Sequence, residues 1–498
     1  MKKVIIGFVV FILIVVLGAY VLLFTQIGNN ILKPTIQEKI SGALKKNINV
    51  EVFSLRPSTL KLVCSFKGKR FLIVDGKLSL FSKSMDLNYS LFIPKISDFT
   101  GNARIRGSLK TTGRVFGSFN SFKVVGKAEA FGGLVNYSVK IVNKKPLNLV
   151  VNGSGLKLEQ ALSMVNMPDY ASGIVSVKAK FINLVGGSAK GRAVLKLSGG
   201  MTNPVVIEKQ FNIKNARIPF TLLVYATAQG KLLHIKAELK SKIANVKLLN
   251  SDINLSSFSA KGLFKLTIPN LDNLYFLTER HMRGSLVADG NFRKDKSLVV
   301  NAVSKDLAGG ILKLNFVNGN VKVNYRNGKL VKLLDMLEYP KVFDSLVNVD
   351  LVYSLNTKKG ESHVRLINGH FLPNRMSYLI NTLAGFDITR ELYKLSTIDS
   401  KIDNMVIISD LFMKSRLTEI MSKNAYVNLK TNRIDATLNV MIAHKPLKII
   451  VKGDINKPKV SINIKGYIKS RLKKKLKKGL KRELEKTIKV PKGLLHLF

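Results

Sequence analysis

The sequence predicts a mainly β protein: an N-terminal transmembrane helix, then an elongated, curled antiparallel β-sheet groove with short helices, then a C-terminal basic amphipathic helix. Three observations predict it. Val4–Phe24 is a run of 21 residues without a charge. Apolar and polar residues alternate with period two along residues 50–465. Residues 467–490 repeat an apolar residue every fourth position among lysines and arginines.

The first element follows from length. At about 1.5 Å per residue an α-helix over Val4–Phe24 covers the ~30 Å hydrocarbon core of a bilayer. A cleaved signal peptide has a shorter apolar region, ~7–15 residues, and a small-x-small cleavage site. Here the run ends in Val21-Leu-Leu-Phe-Thr-Gln26 with no such site, so the reading is a retained anchor. Lys2 and Lys3 precede the run, while residues 25–31 carry no charge. Short flanking segments set orientation. The expected topology therefore has the N-terminus in the cytoplasm and the body beyond the membrane.

The body reads as strands. Met85-Asp-Leu-Asn-Tyr-Ser-Leu-Phe-Ile93 places Leu87, Tyr89 and Leu91 on one face. Val135, Tyr137 and Val139 repeat the scheme, as do Val175 and Val177, then Val347, Val349 and Leu351. Such alternation gives each strand one apolar and one solvated face. Val317-Asn-Gly-Asn320 and Tyr325-Arg-Asn-Gly-Lys329 read as hairpin turns. Gly132-Gly133 and Gly309-Gly310 read as strand bends or bulges. Long amphipathic helices are scarce, so no helical layer covers the apolar faces. The sheet must bury them on itself or hold something apolar. The eleven residues just named are the candidate lining of a lipid groove.

The charge needs a placement. The chain has 498 residues, with 81 Lys and Arg against 31 Asp and Glu, a formal charge of +50. That favours anionic partners, either nucleic acid or anionic lipid. Much of the charge is lysine alternating outward along strands. Part reflects a composition also rich in Asn and Ile. The single cysteine, Cys64, excludes an intramolecular disulfide and reads as a small core residue.

An internal repeat is visible. Leu158, Leu162, Met164, Val165 and Pro168 recur as Leu330, Leu334, Met336, Leu337 and Pro340, at a constant offset of 172. Each set is a short helical patch leading into an alternating strand. A looser third copy begins at Leu271-Asp-Asn-Leu-Tyr-Phe-Leu277. Repetition of one supersecondary unit predicts a body in which each unit packs on its neighbours.

These residues resemble the AsmA-like proteins of Gram-negative envelopes over nearly the whole chain. The resemblance is carried by the anchor, Lys33-Pro-Thr-Ile-Gln-Glu-Lys-Ile40, Leu158-Glu-Gln-Ala-Leu162 with Pro168-Asp-Tyr-Ala-Ser-Gly173, and Ala425-Tyr-Val-Asn-Leu429. Ile434-Asp-Ala-Thr-Leu-Asn-Val440 and Val451-Lys-Gly-Asp-Ile-Asn-Lys-Pro-Lys-Val460 complete it. The resemblance implies a repeating β-groove whose apolar concave face carries phospholipid acyl chains. It implies a place in the bacterial inner membrane with the body in the periplasm, and a part in outer-membrane homeostasis. About 25–30 strands at ~4.8 Å spacing would give a groove of roughly 120–145 Å.

The expected divisions are residues 1–24, cytoplasmic tip and anchor; 25–49, short helix and linker; 50–199, first groove part; 200–380, second groove part with the repeat; 381–466, C-terminal β part; and 467–498, basic helix and apolar tip. In the last, Leu472, Leu476 and Leu480 form an apolar stripe flanked by Lys473, Lys474, Lys477, Lys481 and Arg482. A helix of that kind lies in an anionic headgroup layer, or binds an outer-membrane partner.

No catalytic constellation accompanies this pattern. The six histidines form no HExxH pair and no Cys/His cluster, and no Gly-x-Ser-x-Gly, Walker or GxGxxG motif occurs. The expectation is a non-enzymatic lipid-binding protein without cofactor or metal and without a nucleic-acid partner. A structural or chaperone-like factor for outer-membrane protein assembly, built on the same fold, is the alternative.

Overall fold

The computed structural model describes Leu17, Tyr20, Val21 and residues 23–100, 107–183 and 190–463. Most of the expected anchor and the whole basic tail, including Leu472, Lys473, Lys474, Leu476, Lys477, Leu480, Lys481 and Arg482, lie outside the described residues. Among the described residues no helix is long and apolar enough to cross a membrane. The chain divides into two compact units, Met1–Ser259 and Ala260–Phe498.

The first unit opens with helix α1 (Gln26–Leu44). Its strands are β1 (Asn49–Leu55), β2 (Thr59–Phe66), β3 (Lys69–Ser79), β4 (Ser84–Ile93) and β5 (Leu109–Ser118). Then follow β6 (Ser121–Ala130), β7 (Gly133–Val142), β8 (Lys145–Lys157) and β9 (Ala171–Ile182). β10 (Lys190–Thr202), β11 (Pro219–Gln229), β12 (Leu232–Ser241) and β13 (Asn245–Asn254) end it. Each strand pairs antiparallel with the next.

The second unit repeats the plan with β14 (Ser259–Ile268), β15 (Leu286–Lys294), β16 (Leu298–Leu307), β17 (Gly310–Val317) and β18 (Asn320–Lys329). β19 (Phe343–Ser354), β20 (Lys359–Phe371), β21 (Tyr393–Asp403) and β22 (Val406–Lys414) continue it. β23 (Thr418–Asn428), β24 (Arg433–Ile442), β25 (Lys445–Asp454) and β26 (Pro458–Asn463) complete it, again as a sequential antiparallel meander. In neither unit does the first strand pair with the last among the described residues, so neither closes into a barrel.

Helices follow even-numbered strands. α2 (Ser97–Thr100) follows β4, α3 (Leu158–Met164) follows β8 and α4 (Pro204–Phe211) follows β10. In the second unit a 3₁₀ turn, Leu271–Leu274, and α5 (Tyr275–Thr278) follow β14; α6 (Leu330–Met336) follows β18; α7 (Arg375–Ala384) follows β20. The described connections leaving odd-numbered strands carry no helix. Each unit therefore has a helix-bearing rim and a rim of tight turns.

The repeat has a geometric counterpart. α3 and α6 are both seven residues long, and shifting Ala171–Ile182 by 172 gives Phe343–Ser354, the bounds of β9 and β19. Eight residues after each repeat start the chain turns left-handed: Asn166 at φ 58°, Glu279 at φ 52° and Glu338 at φ 58°. The strands before α3 and α6 share a bulge, at Gly155 with φ 68° and Asn327 with φ 55°.

That bulge corrects one expectation. Tyr325-Arg-Asn-Gly-Lys329 lies inside β18, and its left-handed Asn327 absorbs an extra residue instead of reversing the chain. Gly132 and Gly309 do the opposite of what was expected. With Phe131 at φ 51° and Ala308 at φ 50°, they form two-residue hairpin turns. Both central residues of such turns need positive φ, which Gly supplies without strain. Val317-Asn-Gly-Asn320 is a hairpin turn as read.

Two helices exceed the sequence reading. α1 is 19 residues long and lies along the edge of β1. Asn29, Lys33, Gln37 and Ser41, spaced by four, face one side of the helix. Their side chains bond the backbone of Leu55, Glu51, Val50 and Ile48. An edge strand otherwise presents these groups to any passing chain.

α7 supplies the helical cover that the sequence seemed to lack. Asn374 caps it with a reciprocal Ser377 bond, and Gly385 ends it at φ 60°. Its buried Ser377, Ile380 and Ala384 form one stripe. Ile380 and Ala384 join Tyr325, Phe343, Val347, Leu366, Tyr393 and Ile420 in the principal core of the second unit. The first unit has smaller clusters: Ile48, Val50, Cys64 and Phe71, and separately Leu156, Val175 and Leu197. Cys64 is fully buried, and burial pushes its thiol pKa up.

Candidate ligand-binding face

Register decides which side chains share a face, because directly opposed residues point the same way. Leu91 opposes Thr111, Thr111 opposes Ala128, Ala128 opposes Val135, Val135 opposes Gly153, and Gly153 opposes Val177. Four residues along, Leu87, Val115, Val124, Val139 and Leu149 form a parallel row. Between them runs Val74, Tyr89, Gly113, Gly126, Tyr137 and Val151. Val175 opposes Leu156 beside the first row. The eight candidate groove residues of the first unit thus occupy one apolar face, across β4 to β9. Asn88, Ser90, Asn136 and Ser176 between them are exposed.

The middle row contains a feature that periodicity does not reveal. Tyr89 and Tyr137 are separated by two strands that each contribute a glycine. Their rings extend over Gly113 and Gly126 until the hydroxyls meet at 2.5 Å. Thr111 Oγ1 lies 2.7 Å from the Tyr137 hydroxyl and donates to Lys127 O at 3.0 Å. A Cβ on Gly126 would stand 2.4 Å from Tyr89 Oη. Burial, then the hydrogen bond with Tyr137, raises the Tyr89 phenol above its ordinary pKa. The cluster is a neutral hydroxyl chain set into an apolar floor.

Over this face lies a cavity of about 1390 Å³. Leu91, Leu109, Ala128, Val135, Tyr137, Leu149 and Val151 line it from the sheet, Ile96 from the β4–β5 connection, and Met164 and Met167 from α3 and the residues after it. Polar groups gather among its lining residues: Lys110 pairs with Glu129 at 3.0 Å, and Glu159 accepts from Gly173 N at 3.3 Å. No residue of α3 is buried. The volume exceeds the ~300–1,000 Å³ of ordinary small-molecule sites.

The second unit treats the equivalent face differently. Val347 opposes Leu366, and Val349 opposes Tyr325 and Val364, again on one side. Here α7 occupies the space: Val347 is buried in the core with Ile380, and Val349 packs against it. Leu351 opposes Ser362, at a more polar position of the same face. Of the candidate residues, Leu91, Val135 and Tyr137 therefore line the cavity, whereas Leu87, Val175 and Val347 are buried and Val177 and Val349 pack against core clusters.

A smaller cavity of about 300 Å³ in the second unit is polar. Arg280, after α5, donates to Asn432 Oδ1 at 3.1 Å and to Leu429 O at 2.7 Å in the β23–β24 turn. This joins its helix-bearing rim to its tight-turn rim across 152 residues of chain, which requires the meander of that unit to curl. Its His281 is bonded to Asp272 at 2.8 Å and stacked on Tyr275. Among the described residues, no three His, Cys, Asp or Glu side chains gather where a metal could sit.

Comparison with protein-family models, with curated proteins and with solved structures returned no match.

Proposed function

We propose that this chain is a membrane-anchored lipid-binding protein of AsmA-like type, non-enzymatic, with its anchor in the bacterial inner membrane and its β-body in the periplasm. The observation that carries the reading is the continuous apolar face of β4–β8 beneath a cavity of about 1390 Å³. An apolar surface of this kind, left without a helix to fill it, fits acyl chains better than water. In this reading the body serves phospholipid transport or outer-membrane homeostasis. The anchor is Val4–Phe24, and the basic tail holds an anionic membrane surface.

Lipid mass spectrometry of the full chain, extracted in mild detergent, tests the proposal together with photo-crosslinkers placed along β7. Crosslinks to lipid at Val135, Tyr137 and Val139, and none at Asn136, are expected. Protein free of lipid, or capture at Asn136 alone, overturns the reading. For the tail, vesicle flotation of the full chain at low and high salt is compared with a variant carrying Gln at Lys473, Lys474, Lys477, Lys481 and Arg482. Selective, salt-sensitive loss of binding to anionic vesicles is expected.

A further inference from the structure

The tight-turn rim of the first unit meets the C-terminal end of the uncharged run. Phe24 is the last residue of that run, and its ring lies 5.4 Å from Tyr20 and 6.4 Å from Phe81. Phe81 is at the tip of the β3–β4 hairpin and is 81% exposed, among the most exposed large apolar side chains described. A phenylalanine held out in this way is costly in water.

The tip is braced. Leu78 N donates to Ser58 O at 3.0 Å, Ser82 N to Ser79 Oγ at 3.2 Å, and Phe119 N to Lys83 O at 2.9 Å. The helix side is braced as well. Asn29 holds both backbone groups of Leu55, so the start of α1 is fixed to the same rim. Thr25 N still reaches Val21 O at 3.3 Å, which continues the helical path back into the uncharged run. The hairpin tip and the end of the run are therefore held at one level.

We infer that the β3–β4 tip is a second membrane contact: Phe81 enters the interfacial layer of the bilayer that holds Val4–Phe24, with Lys83 placed for lipid phosphates. The inference rests on the anchor reading. Given an anchor, continuity selects the occupant. A helix rising ~1.5 Å per residue brings Phe24 to the hydrocarbon boundary, and a ring beside Phe24 shares that depth. Aromatic side chains flanked by a basic residue suit that layer. Two points of attachment then fix the tilt of the first unit against the membrane.

The sequence contains no tryptophan, so F81W provides a sole tryptophan, excited selectively on the red edge beyond tyrosine absorption. The full-length F81W chain is reconstituted in phosphatidylcholine–phosphatidylglycerol vesicles, with and without lipids brominated near the ester end of the chain. L17W, at a position of the uncharged run that is 68% exposed, serves as the companion. The expected result is blue-shifted F81W emission, with lower intensity in brominated vesicles, together with quenching of L17W. Quenching of L17W while F81W stays unquenched and water-like overturns the inference and leaves the anchor standing. If neither is quenched, the anchor reading fails and takes the inference with it. Circular dichroism matching the unsubstituted chain verifies that both variants are folded.

Discussion

The Tyr89 hydroxyl lies 2.5 Å from that of Tyr137, although β4 and β7 are three strands apart. The approach depends on Gly113 and Gly126, which leave the intervening row without side chains. Proton supply orders the chain. Thr111 donates to Lys127 O, so Tyr137 must donate to Thr111 and Tyr89 to Tyr137. Tyr89→Phe then removes one bond, about 0.5–1.5 kcal/mol. Tyr137→Phe removes two and leaves the Tyr89 hydroxyl without its acceptor, so it costs more. Gly126→Ala drives a methyl group into both rings, an overpacking cost of ~1–3 kcal/mol. Urea midpoints check the order; an equal or smaller loss for Tyr137→Phe contradicts the assigned proton chain.

Acid should weaken the second unit through Asp350. The Arg326 guanidinium bonds its carboxylate, and Asn324 Nδ2 donates at 2.7 Å, with Arg365 3.7 Å away. The Arg326 hydrogen bond, chiefly, holds Asp350 below the usual carboxylate range. A pKa lower in the folded state than in the unfolded one stabilises above the unfolded value, about 3.9 for Asp. That contribution disappears as pH falls through the folded pKa. Asp350→Asn should lower the melting midpoint at pH 7 and narrow the difference between neutral and acid midpoints. Melting curves at several pH values check this; an unchanged difference would show that Asp350 is not among the groups responsible.

The β24–β25 turn is built from poor residues. Ala443 at φ 45° and His444 at φ 66° occupy two left-handed positions, where Asn and Gly are favoured. The turn tolerates them because both strands are held in register over ten residue pairs. A non-glycine residue in this region costs ~1–2 kcal/mol. The pair Ala443→Asn and His444→Gly should therefore raise stability by about 1 kcal/mol in total, part of the gain being offset by the freer unfolded chain. Differential scanning calorimetry measures it. A lower midpoint would mean that the His444 side chain contributes more than its backbone strain costs.

Strand parity was legible in the sequence because it is local. Val135, Tyr137 and Val139 share a face whatever β7 pairs with, and a repeat at constant offset survives as α3 and α6. The Tyr89–Tyr137 bridge was not legible, since it needs the register of four strands at once, and two of its four members are glycines with no pattern of their own. The turns were confused for a related reason. Positive φ is what Asn-Gly and Gly-Gly announce, and a bulge at Asn327 uses it as well as a hairpin does. α7 did leave a signal: Asn374 with Ser377, a Ser377/Ile380/Ala384 stripe, then Gly385. Its ten residues are short enough to hide among strands, and its cover for Val347 and Val349 went unread.

The polar stripe of α1 gives a prediction about solution behaviour. Asn29 Nδ2 donates to Leu55 O at 2.9 Å and its Oδ1 accepts from Leu55 N at 2.8 Å, in a site where Asn29 is 5% exposed. Asn29→Ala leaves both backbone groups buried and unpaired, which costs ~1–3 kcal/mol per group. Asn29→Asp can still accept from Leu55 N and cannot donate to Leu55 O, so its loss should be intermediate. Adding Gln37→Ala, which frees Val50 N, should do more than lower stability. It leaves the β1 edge with open donors and acceptors, a template for pairing with another copy. Analytical ultracentrifugation of the Asn29→Ala, Gln37→Ala chain in detergent should show self-association that grows with concentration. A destabilised chain that sediments like the unsubstituted one would mean that α1 braces β1 without shielding its edge.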